Sequence, residues 1–515
     1  MRLTQGIHRA AQLYPKRPAL VSAEGIVSWI EFEQRVARLA GVFQSLGLQP
    51  GDRVAMLSHN SPRYVEFYFA ALWAGGVILT INTRWAMAEK THCLNDAQAK
   101  ILLVGAAFTD DIEDLKEHCP SLQSVIYADT TSATMAAGLL DYEQALANTA
   151  PVADANRSGE DLAALFYTGG TTGKAKGVML SHNNFMANSM NAIVNLGLSS
   201  DSIHLHVSPL FHLAGGSRLF TLTAVGGTHA VIPSFNADNF LDAIERFRVT
   251  ATVVVPTMLN TLLQHPTIND YDVSSLRLLT YGASPMPEAL MRGAMAKFPD
   301  IAFLQSYGMT ELSPVATMLL PKYHCFEGPN AGRIRSAGQA VLNADIAVVD
   351  ETGKAQPQGV VGEVCVRGPM VMQGYWRQPE LTKQVVRDGW MHTGDAGYLD
   401  EEGFLFLSDR IKDMIISGGE NVYSTAVENV LYRHEAVLEC AIIGIPDEKW
   451  GEAVHAIVVL KEAAIATEQE LISHCRATLA GYECPKTVAI ISGELPKSGV
   501  GKILKAELRK PFWPQ

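Results

Sequence analysis

The stretch from Tyr167 to His182, YTGGTTGKAKGVMLSH, has the composition of a loop that contacts phosphate. Its sixteen residues include four glycines, four serine or threonine residues and two lysines. Glycines let successive backbone N–H groups turn toward an anion, hydroxyl groups add hydrogen-bond donors, and a lysine adds positive charge. The outer phosphates of a nucleotide suit such a loop. By composition alone, the stretch could equally be a turn between a strand and a helix.

The same stretch does not match the Walker pattern, G-x-x-x-x-G-K-[ST]. Alignment on Gly173 and Lys174 puts Thr168 at the first glycine and Ala175 at the final serine or threonine. In Walker proteins the hydroxyl after the lysine holds magnesium. Here the threonines precede the lysines, so the loop belongs to another class of phosphate site.

The apolar pattern around this loop predicts open parallel β-sheets covered by helices on both faces. Short apolar runs such as LAALFYT, THAVIP, ATVVVP, RLLTYG and AFLQSYG alternate with helix-length segments. Ser28 and Glu31 form a capping box before a helix that ends at Gly47, and another helix runs from Pro62 to Gly75. The fold class is therefore α/β.

The C-terminal part of the chain predicts two further kinds of structure. From about Ala331, short segments with closely spaced turns predict the antiparallel strands of a distorted β-barrel. Later, a Gly-Gly turn, a helix around Val427 to His434 and further strand-like runs predict a small α+β unit. We expect a large N-terminal domain over residues 1–409 and a small mobile domain over residues 410–515.

Composition indicates an ordinary globular protein. The 515 residues are 48% hydrophobic and 18% charged, and the net charge of −12 argues against nucleic acid, which needs a basic face. No apolar run is long enough for a signal peptide or a membrane span, which predicts a cytoplasmic protein without an integral membrane segment. The seven scattered cysteines predict free, mostly buried thiols, and no cysteine or histidine cluster predicts a built-in metal.

Six motifs in a fixed order resemble those of the adenylate-forming superfamily, which includes acyl-CoA synthetases, carrier-loading adenylation domains and firefly luciferase. The loop is similar to the family signature Y-T-S-G-T-T-G-x-P-K-G, and LPKSGVGKILKAELR resembles the terminal lysine motif. The resemblance covers nearly the whole chain and is nearest to bacterial fatty-acyl and feruloyl or coumaroyl CoA ligases. The other four motifs are PLFHLAG at 209–215, QSYGMTE at 305–311, GWMHTGD at 389–395 and SDRIKDMIISGGENVYSTAVE at 408–428.

The resemblance implies a ligase that uses ATP, Mg²⁺ and coenzyme A. A carboxylate is a poor acylating agent, but attack on the α-phosphorus of ATP turns it into an acyl adenylate, whose acyl group then passes to the CoA thiol. The substrate is itself the nucleophile, so no Ser-His-Asp arrangement is needed. The expected partners are a medium- or long-chain fatty acid or an aryl acid, with ATP and CoA; monomer and homodimer both remain open. A separate carrier protein as acceptor and a catalytically inert nucleotide-binding paralogue are the alternatives.

The resemblance also implies roles for single residues. Lys502 would be the adenylation lysine that bridges the carboxylate and the α-phosphate, and Glu311 would hold Mg²⁺ while Thr310 touches phosphate. His212 would lie near the acyl carboxylate. Without the resemblance, Thr310 and Glu311 would cap a helix and Lys502 would face solvent. The implied nucleotide contacts are Thr168, Gly169, Gly170, Thr171, Thr172, Gly173, Lys176, Gly282, Ala283, Ser284, Ser306, Tyr307, Gly308, Asp395, Arg410 and Lys412.

Several of these contacts have a specific expected function. Tyr307 would offer an aromatic face to adenine, and the backbone of residues 282–284 would offer a hydrogen-bonding edge. Asp395 would accept from both ribose hydroxyls, and Arg410 would make a second ribose or phosphate contact. Lys412 stands at the family's hinge position, so the small domain would rotate there and bring the SGGEN turn toward the thiol channel.

Three residues depart from the family pattern. Gly169 replaces a usual Ser, and Ala175 and Ser424 each replace a usual Pro. The loss of a hydroxyl donor at Gly169 would weaken one phosphate contact. We expect the three changes to tune loop mobility rather than to abolish nucleotide binding.

The stretch after His212, GGSRLFTLTAVGG, is expected to line the acyl pocket. Gly215 and Gly216 would leave room for an extended or aromatic acyl group rather than acetate. Arg218 is the one charged residue of this apolar stretch. We interpret it as reaching solvent or pairing with a protein acid, and a contact with a second carboxylate or polar tail of the substrate is the alternative.

Overall fold

Two large β-sheets and their covering helices form the N-terminal part of the protein. The computed structural model describes residues 1–129, 139–168, 174–284, 286–498 and 502–513. The nine-stranded sheet has the spatial order β16 (Gln339–Ala340), β15 (Val315–Leu319), β14 (Ala302–Gly308), β13 (Leu278–Gly282), β12 (Ala251–Val254), β10 (Ile203–His206), β11 (Thr228–Val231), β1 (Pro18–Ser22) and β2 (Gly25–Ser28). The eight-stranded sheet has the order β19 (Gly374–Tyr375), β9 (Lys176–Ser181), β8 (Leu162–Thr168), β4 (Val77–Thr80), β3 (Arg53–Leu57), β5 (Ala99–Val104), β6 (Ser124–Tyr127) and β7 (Leu140–Asp141).

Both sheets are parallel in their centres, as predicted. The nine-stranded sheet is antiparallel at both edges, and the eight-stranded sheet is antiparallel at the β19 and β9 edge. β8 and β9 pair antiparallel, with Thr168 opposite Lys176. Only residues 169–175 join these two strands, whereas a parallel crossover needs about a dozen residues or more. The phosphate-type loop therefore connects two strands of one sheet, and the interpretation of it as a turn between a strand and a helix is wrong.

Helices pack against both sheets and against the smaller C-terminal unit. The capping box of Ser28 and Glu31 is present and opens the second helix, which ends at Ser45. The helices of the described residues are α1 (Gln5–Leu13), α2 (Trp29–Ser45), α3 (Pro62–Trp73), α4 (Met87–Ala97), α5 (Ile112–His118), α6 (Tyr142–Ala147), α7 (His182–Leu196), α8 (Leu213–Val225), α9 (Ala237–Phe247), α10 (Pro256–Leu263), α11 (Glu288–Lys297), α12 (Pro379–Val385), α13 (Ser424–Leu431), α14 (Glu468–Arg476) and α15 (Lys505–Arg509).

Helix α3 is buried on all sides, which requires its charged residues to be paired. Nε of Arg35 lies 2.6 Å from Oε1 of Glu66, and the hydroxyl of Tyr142 donates to the other oxygen of Glu66 at 2.5 Å. Arg63, also buried, pairs with Glu24 at 2.7 Å and with Glu143 at 3.0 Å. Buried charges in this part of the fold therefore follow the general rule that each finds an opposite charge.

Two antiparallel sheets follow, in agreement with the change of pattern near Ala331. The first has the order β17 (Asp345–Val349), β18 (Gly362–Arg367), β21 (Trp390–Leu399) and β20 (Val386–Arg387), and β22 (Leu405–Arg410) also pairs with β21. The second has the order β24 (Glu420–Val422), β23 (Ile415–Ser417), β26 (Gly451–Leu460) and β25 (Val437–Asp447), and β27 (Thr487–Ile491) pairs with β26. This last sheet packs with α13 and α14 into the small C-terminal unit.

The predicted boundaries shift at one helix of that unit. The helix expected around Val427 to His434 is α13, which begins earlier, at Ser424, and ends at Leu431. Its first N–H donates to Oδ2 of Asp409 at 2.6 Å, so a carboxylate from the preceding strand fixes where the helix starts. All seven cysteines are free, and six of them are buried, as predicted. No helix among the described residues is both long enough and apolar enough to cross a bilayer.

Candidate active site

A large cavity lies where strands of both large sheets meet the C-terminal segment. Its volume is about 1090 Å³. Strands β8, β13 and β14 end at its wall, which is the edge where α/β proteins generally bind ligands. Most of the predicted site residues line this cavity, namely Thr168, Lys176, His212, Gly282, Ala283, Ser306, Tyr307, Gly308, Thr310, Glu311, Arg410, Lys412 and Lys502.

The other predicted residues are in two groups. Ser284 and Asp395 are not part of the cavity lining, although Asp395 bonds to two residues that are. Ser284 follows Ala283, whose positive φ of 67° turns the chain sharply at this point. The second group, Gly169, Gly170, Thr171, Thr172 and Gly173, lies outside the described residues.

Asp395 is held by two neighbours before any ligand is considered. The hydroxyl of Tyr307 donates to Oδ2 at 2.7 Å, and Nε of Arg410 lies 2.6 Å from Oδ1. Burial, then the charge of Asp395, raises the pKa of Tyr307 well above its ordinary value, so the phenol stays a donor. Each carboxylate oxygen keeps a further lone pair. Asp395 can therefore still accept a hydroxyl while its orientation is fixed.

Glu311 lies buried at the cavity wall in a single 3-10 turn, Thr310–Leu312. Its Oε1 accepts a hydrogen bond from the Tyr375 hydroxyl at 2.8 Å, and the ammonium of Lys176 lies 5.0 Å from the centre of the Tyr375 ring. The turn is preceded by Met309, which makes no side-chain cap, so the interpretation of Thr310 and Glu311 as a helix cap is wrong. A fixed carboxylate beside a lysine suits a phosphate-bound cation.

A short hairpin brings Lys502 into the cavity. The N–H of Ser498 donates to the carbonyl of Lys502 at 2.7 Å, and the N–H of Lys502 donates to Oγ of Ser498 at 3.2 Å. Arg84 holds the hairpin from the large domain, since its guanidinium donates to the Ser498 carbonyl at 3.2 Å. Burial, then the charge of Arg410, lowers the pKa of Lys502 to about 8. The alternative of a solvent-facing lysine is wrong.

His212 stands at the start of α8 and is neutral. Burial, then the charge of Arg84, lowers the pKa of His212 to about 4. Its Nε2 has no hydrogen-bond partner among the described residues. A neutral imidazole with an unused nitrogen at the cavity wall can bond to a carboxylate oxygen or to a phosphate oxygen.

Three buried histidines, which the sequence patterns did not single out, lie on β10 and β11. Nε2 of His206 lies 2.9 Å from Nδ1 of His229, whose Nε2 lies 2.9 Å from Oγ1 of Thr223. Nδ1 of His204 has no partner among the described residues. Burial lowers the pKa of all three imidazoles, so they are neutral. The i, i+2 spacing of His204 and His206 on a strand is the signal that places them on one face.

Arg218 is the only charged residue that α8 places in this region. It is 6% exposed, and burial lowers its pKa to about 10. Its Nε lacks a hydrogen-bond partner, and no acid among the described residues forms an ion pair with it. Arg218 and His204 both border a second small cavity of about 10 Å³. The interpretation that Arg218 reaches solvent or pairs with a protein acid is therefore wrong for the described chain.

Gly215 and Gly216, on α8 before Arg218, lie against neighbouring atoms that leave no room for a side chain. A Cβ on Gly216 would collide with the Tyr68 hydroxyl, which itself donates to the Leu210 carbonyl at 2.6 Å. A Cβ on Gly215 would lie 2.7 Å from the Pro209 carbonyl oxygen. These glycines allow α8 to pack closely on the segment before it, and Gly215 also lines the large cavity.

Comparison with known proteins shows the family of this chain. Residues 7–376 match the model of the AMP-binding enzyme family, and residues 426–502 match that of the AMP-binding enzyme C-terminal domain. The chain belongs to the AMP-binding enzyme family. Feruloyl-CoA synthase from Amycolatopsis sp is 38% identical to this AMP-binding enzyme over 508 residues, or 98% of each chain. The resemblance to the adenylate-forming superfamily is confirmed.

Two further relatives of this AMP-binding enzyme cover its whole length. The fatty acid–[acyl-carrier-protein] ligase ScoC from Streptomyces coeruleorubidus is 34% identical over 98% of this chain and 95% of its own. The solved structure of ATP-bound MatB from Rhodopseudomonas palustris matches with a TM-score of 0.88 at 31% identity, over 99% of both chains. The fold of large N-terminal and small C-terminal domains is thus shared with solved members of the family.

Ser424, one of the three departures from the family pattern, links α13 to β22 and to α15 in this AMP-binding enzyme. Its hydroxyl donates to Oδ2 of Asp409 at 2.5 Å and also accepts from the ammonium of Lys505. Lys505 lies 2.7 Å from Oε1 of Glu428. The serine therefore adds a hydroxyl to a buried charged network that a proline would leave without it.

We expect Ser424→Ala to destabilise the C-terminal unit. The loss of a buried hydroxyl that bonds to two charged groups should lower the free energy of unfolding by about 2 kcal/mol. Thermal unfolding of the whole protein would measure it, with the exposed Ser473→Ala as the matched control. Equal midpoints for the two variants would contradict the prediction.

One group of potential metal ligands comes together among the described residues, although the sequence predicted none. Ligand atoms of Glu363, Cys365 and His392 lie within 4.8 Å of one another. Nδ1 of His392 is 2.7 Å from Oε2 of Glu363, and burial, then the charge of Glu363, raises the pKa of Cys365 to about 12. The arrangement is best described as a histidine–carboxylate pair at the cavity wall.

Proposed function

We propose that this AMP-binding enzyme is an AMP-forming acid–CoA ligase. The observation that carries the proposal is that Lys502, Glu311 and His212 line one cavity, which has a polar side at Tyr307 and Arg410 and an apolar side along α8. The polar side suits a nucleotide and the apolar side suits an acyl group. The named relatives support the same reaction class, since they are ligases for feruloyl and fatty acyl groups.

In the first half-reaction, a carboxylate oxygen of the acid attacks the α-phosphorus of ATP. The bond from that phosphorus to the bridging oxygen breaks, and pyrophosphate leaves. Lys502 places its ammonium between the carboxylate and the α-phosphate, where negative charge accumulates. His212 orients the carboxylate, and Asp395 with Arg410 fixes the ribose. Catalysis here is mainly positioning and charge neutralisation.

Glu311 would provide the protein carboxylate for Mg²⁺, with Thr310 beside it. The residues fit such an ion, because one oxygen of Glu311 is fixed by Tyr375 while the carboxylate remains at the cavity wall. Mg²⁺ takes few protein ligands and many phosphate and water oxygens. When bound, the ion would neutralise phosphate charge.

In the second half-reaction, the CoA sulfur attacks the acyl carbon of the adenylate. The bond from that carbon to the phosphate oxygen breaks, AMP leaves, and the thiol proton passes to solvent. We place the hinge for this step at Lys412, between the domains proposed at residues 1–409 and 410–515. Rotation there would withdraw Lys502 and bring the Ser417–Asn421 turn to the thiol channel.

Transfer to a carrier protein is the second candidate, and the similarity to ScoC is the observation that favours it. Mass spectrometry of the protein incubated with ATP, magnesium and a pool of fatty, aryl and dicarboxylic acids separates the two. Acyl-AMP that becomes acyl-CoA on addition of CoA supports the ligase. Acyl-AMP that persists with CoA moves the acceptor to a carrier protein. The absence of any acyl-AMP means either an acid outside the pool or the inert paralogue.

The pKa of Lys502 gives the proposed adenylation step a pH dependence. Its charged form is present below about pH 8 and is lost as the pH rises through that value. We expect kcat/KM for adenylation to fall above about pH 8, because this parameter reports the free enzyme. A pH profile of pyrophosphate release measures it. In Lys502→Arg, kcat/KM for adenylation should no longer fall above about pH 8. A pH profile identical to that of the wild type would contradict the assignment of the titrating group to Lys502.

A further inference from the structure

We infer that Arg218 receives a second carboxylate, at the end of the acid substrate remote from the reacting carboxylate. The inference rests on the proposed function and narrows its substrate class to acids with two carboxylates. Arg218 would then be the residue that determines specificity at the far end of the acyl pocket.

The first argument is that Arg218 is a buried cation without an anion. Arg35 on α2 and Arg63 on α3 each pair with two glutamates. Arg218 is as buried as Arg63, but no described acid pairs with it and its Nε is unsatisfied. A buried guanidinium without a partner is unfavourable, so binding of an anion from outside the chain would be stabilised at this position.

The second argument concerns the groups that surround Arg218. His204 and His206 face it from β10, and both are neutral, so they supply no negative charge. His204, whose Nδ1 has no partner among the described residues, borders the same 10 Å³ cavity as Arg218, a volume of about one water molecule. One carboxylate oxygen can therefore meet the guanidinium while a neutral imidazole is beside it. An arginine fork matches a carboxylate in shape as well as in charge.

The third argument is the position of Arg218 relative to the reacting end. His212 is the N-cap of α8, and Arg218 follows it by six residues, which corresponds to about 9 Å along the helix axis. Apolar side chains, including Phe211, Val254 and Met258, line the cavity that both residues border. The substrate would thus have a carboxylate at each end of an apolar spacer, either an aromatic ring or a medium-length chain.

The test compares one dicarboxylic acid with its half-ester, which has the same carbon skeleton and one charge fewer. We expect the wild-type enzyme to adenylate the diacid with a kcat/KM about 10²-fold above that of the half-ester. Arg218→Met should remove this preference by lowering the value for the diacid, and Arg218→Lys should restore part of it. Arg246→Met, at an exposed arginine on α9, removes the same charge and should keep the preference.

Two further readouts separate failure of this inference from failure of the proposed function. The affinity for the diacid without ATP, measured by calorimetry, should be lower in Arg218→Met than in the wild type. If the affinity falls in this way but no adenylate forms with either protein, the ligase function is overturned and the carboxylate contact is supported. Thermal unfolding without ligand should show no loss of stability in Arg218→Met, because an unpaired buried charge is removed. An unchanged diacid preference in Arg218→Met, or a strongly lowered midpoint, would overturn the inference.

Discussion

Lys502→Ala is expected to lower the rate of acyl-AMP formation by roughly 10²- to 10³-fold, because one charge-stabilising donor at a reacting centre contributes about this much. Thioester formation from supplied acyl-AMP and CoA should be nearly unchanged, because Lys502 is proposed to leave the cavity before that step. Pyrophosphate release reports the first half-reaction, and mass spectrometry of the thioester reports the second.

The matched control is Lys510→Ala. Lys510 is an exposed lysine of the same C-terminal segment, and it pairs only with Glu507 among the described residues. Lys510→Ala should leave both half-reactions at the wild-type rate. Equal losses in the two half-reactions of Lys502→Ala would instead indicate a general structural defect, and the assignment of Lys502 to adenylation would be wrong.

Gly338→Ala should lower the stability of the protein more than any other single methyl addition considered above. Gly338 has a φ of +85°, and an added Cβ would collide with the backbone carbonyl group of Met318. Its own carbonyl accepts from the N–H of Leu405 at 2.8 Å, so the site links the nine-stranded sheet to β22. The strained φ and the overlap together should reduce the free energy of unfolding by about 3 kcal/mol.

Gly353→Ala is a closely matched control for this effect. Gly353 has a φ of +84°, but an added Cβ would meet nothing within 4 Å. It should therefore show only the φ penalty, about 1 kcal/mol. Thermal midpoints of the two variants measure the difference, and a Gly338→Ala midpoint equal to that of Gly353→Ala would show that the sheets adjust to the extra methyl group.

Local patterns in the sequence predicted local structure well. The capping box at Ser28 and Glu31 and the alternation of apolar runs depend on neighbouring residues only, and the structure confirms both. The motifs also predicted the cavity, because Lys176, Tyr307 and Lys502 meet there as expected. The roles assigned to these residues stay predictions until the variants are measured.

Properties that depend on residues distant in the sequence could not be predicted from local patterns. The chemical type of Arg218 is visible in the sequence, but whether an acid faces it is decided by β10 and β12, which lie elsewhere in the sequence. The function of Gly216 depends on Tyr68, about 150 residues earlier. The antiparallel pairing of β8 and β9 follows from the short connection between them, residues 169–175.

The C-terminal residues that line the cavity affect how much ATP the proposed reaction would consume for each thioester formed. Lys497, Ser498 and Lys502 form this wall of the site. An acyl adenylate is easily hydrolysed, and a closed site keeps water from a reactive intermediate. The ratio of AMP released to thioester formed therefore reports how well this wall closes: a ratio of one means a tight wall, and each loosening of the Ser498 hairpin should appear as ATP consumed without product.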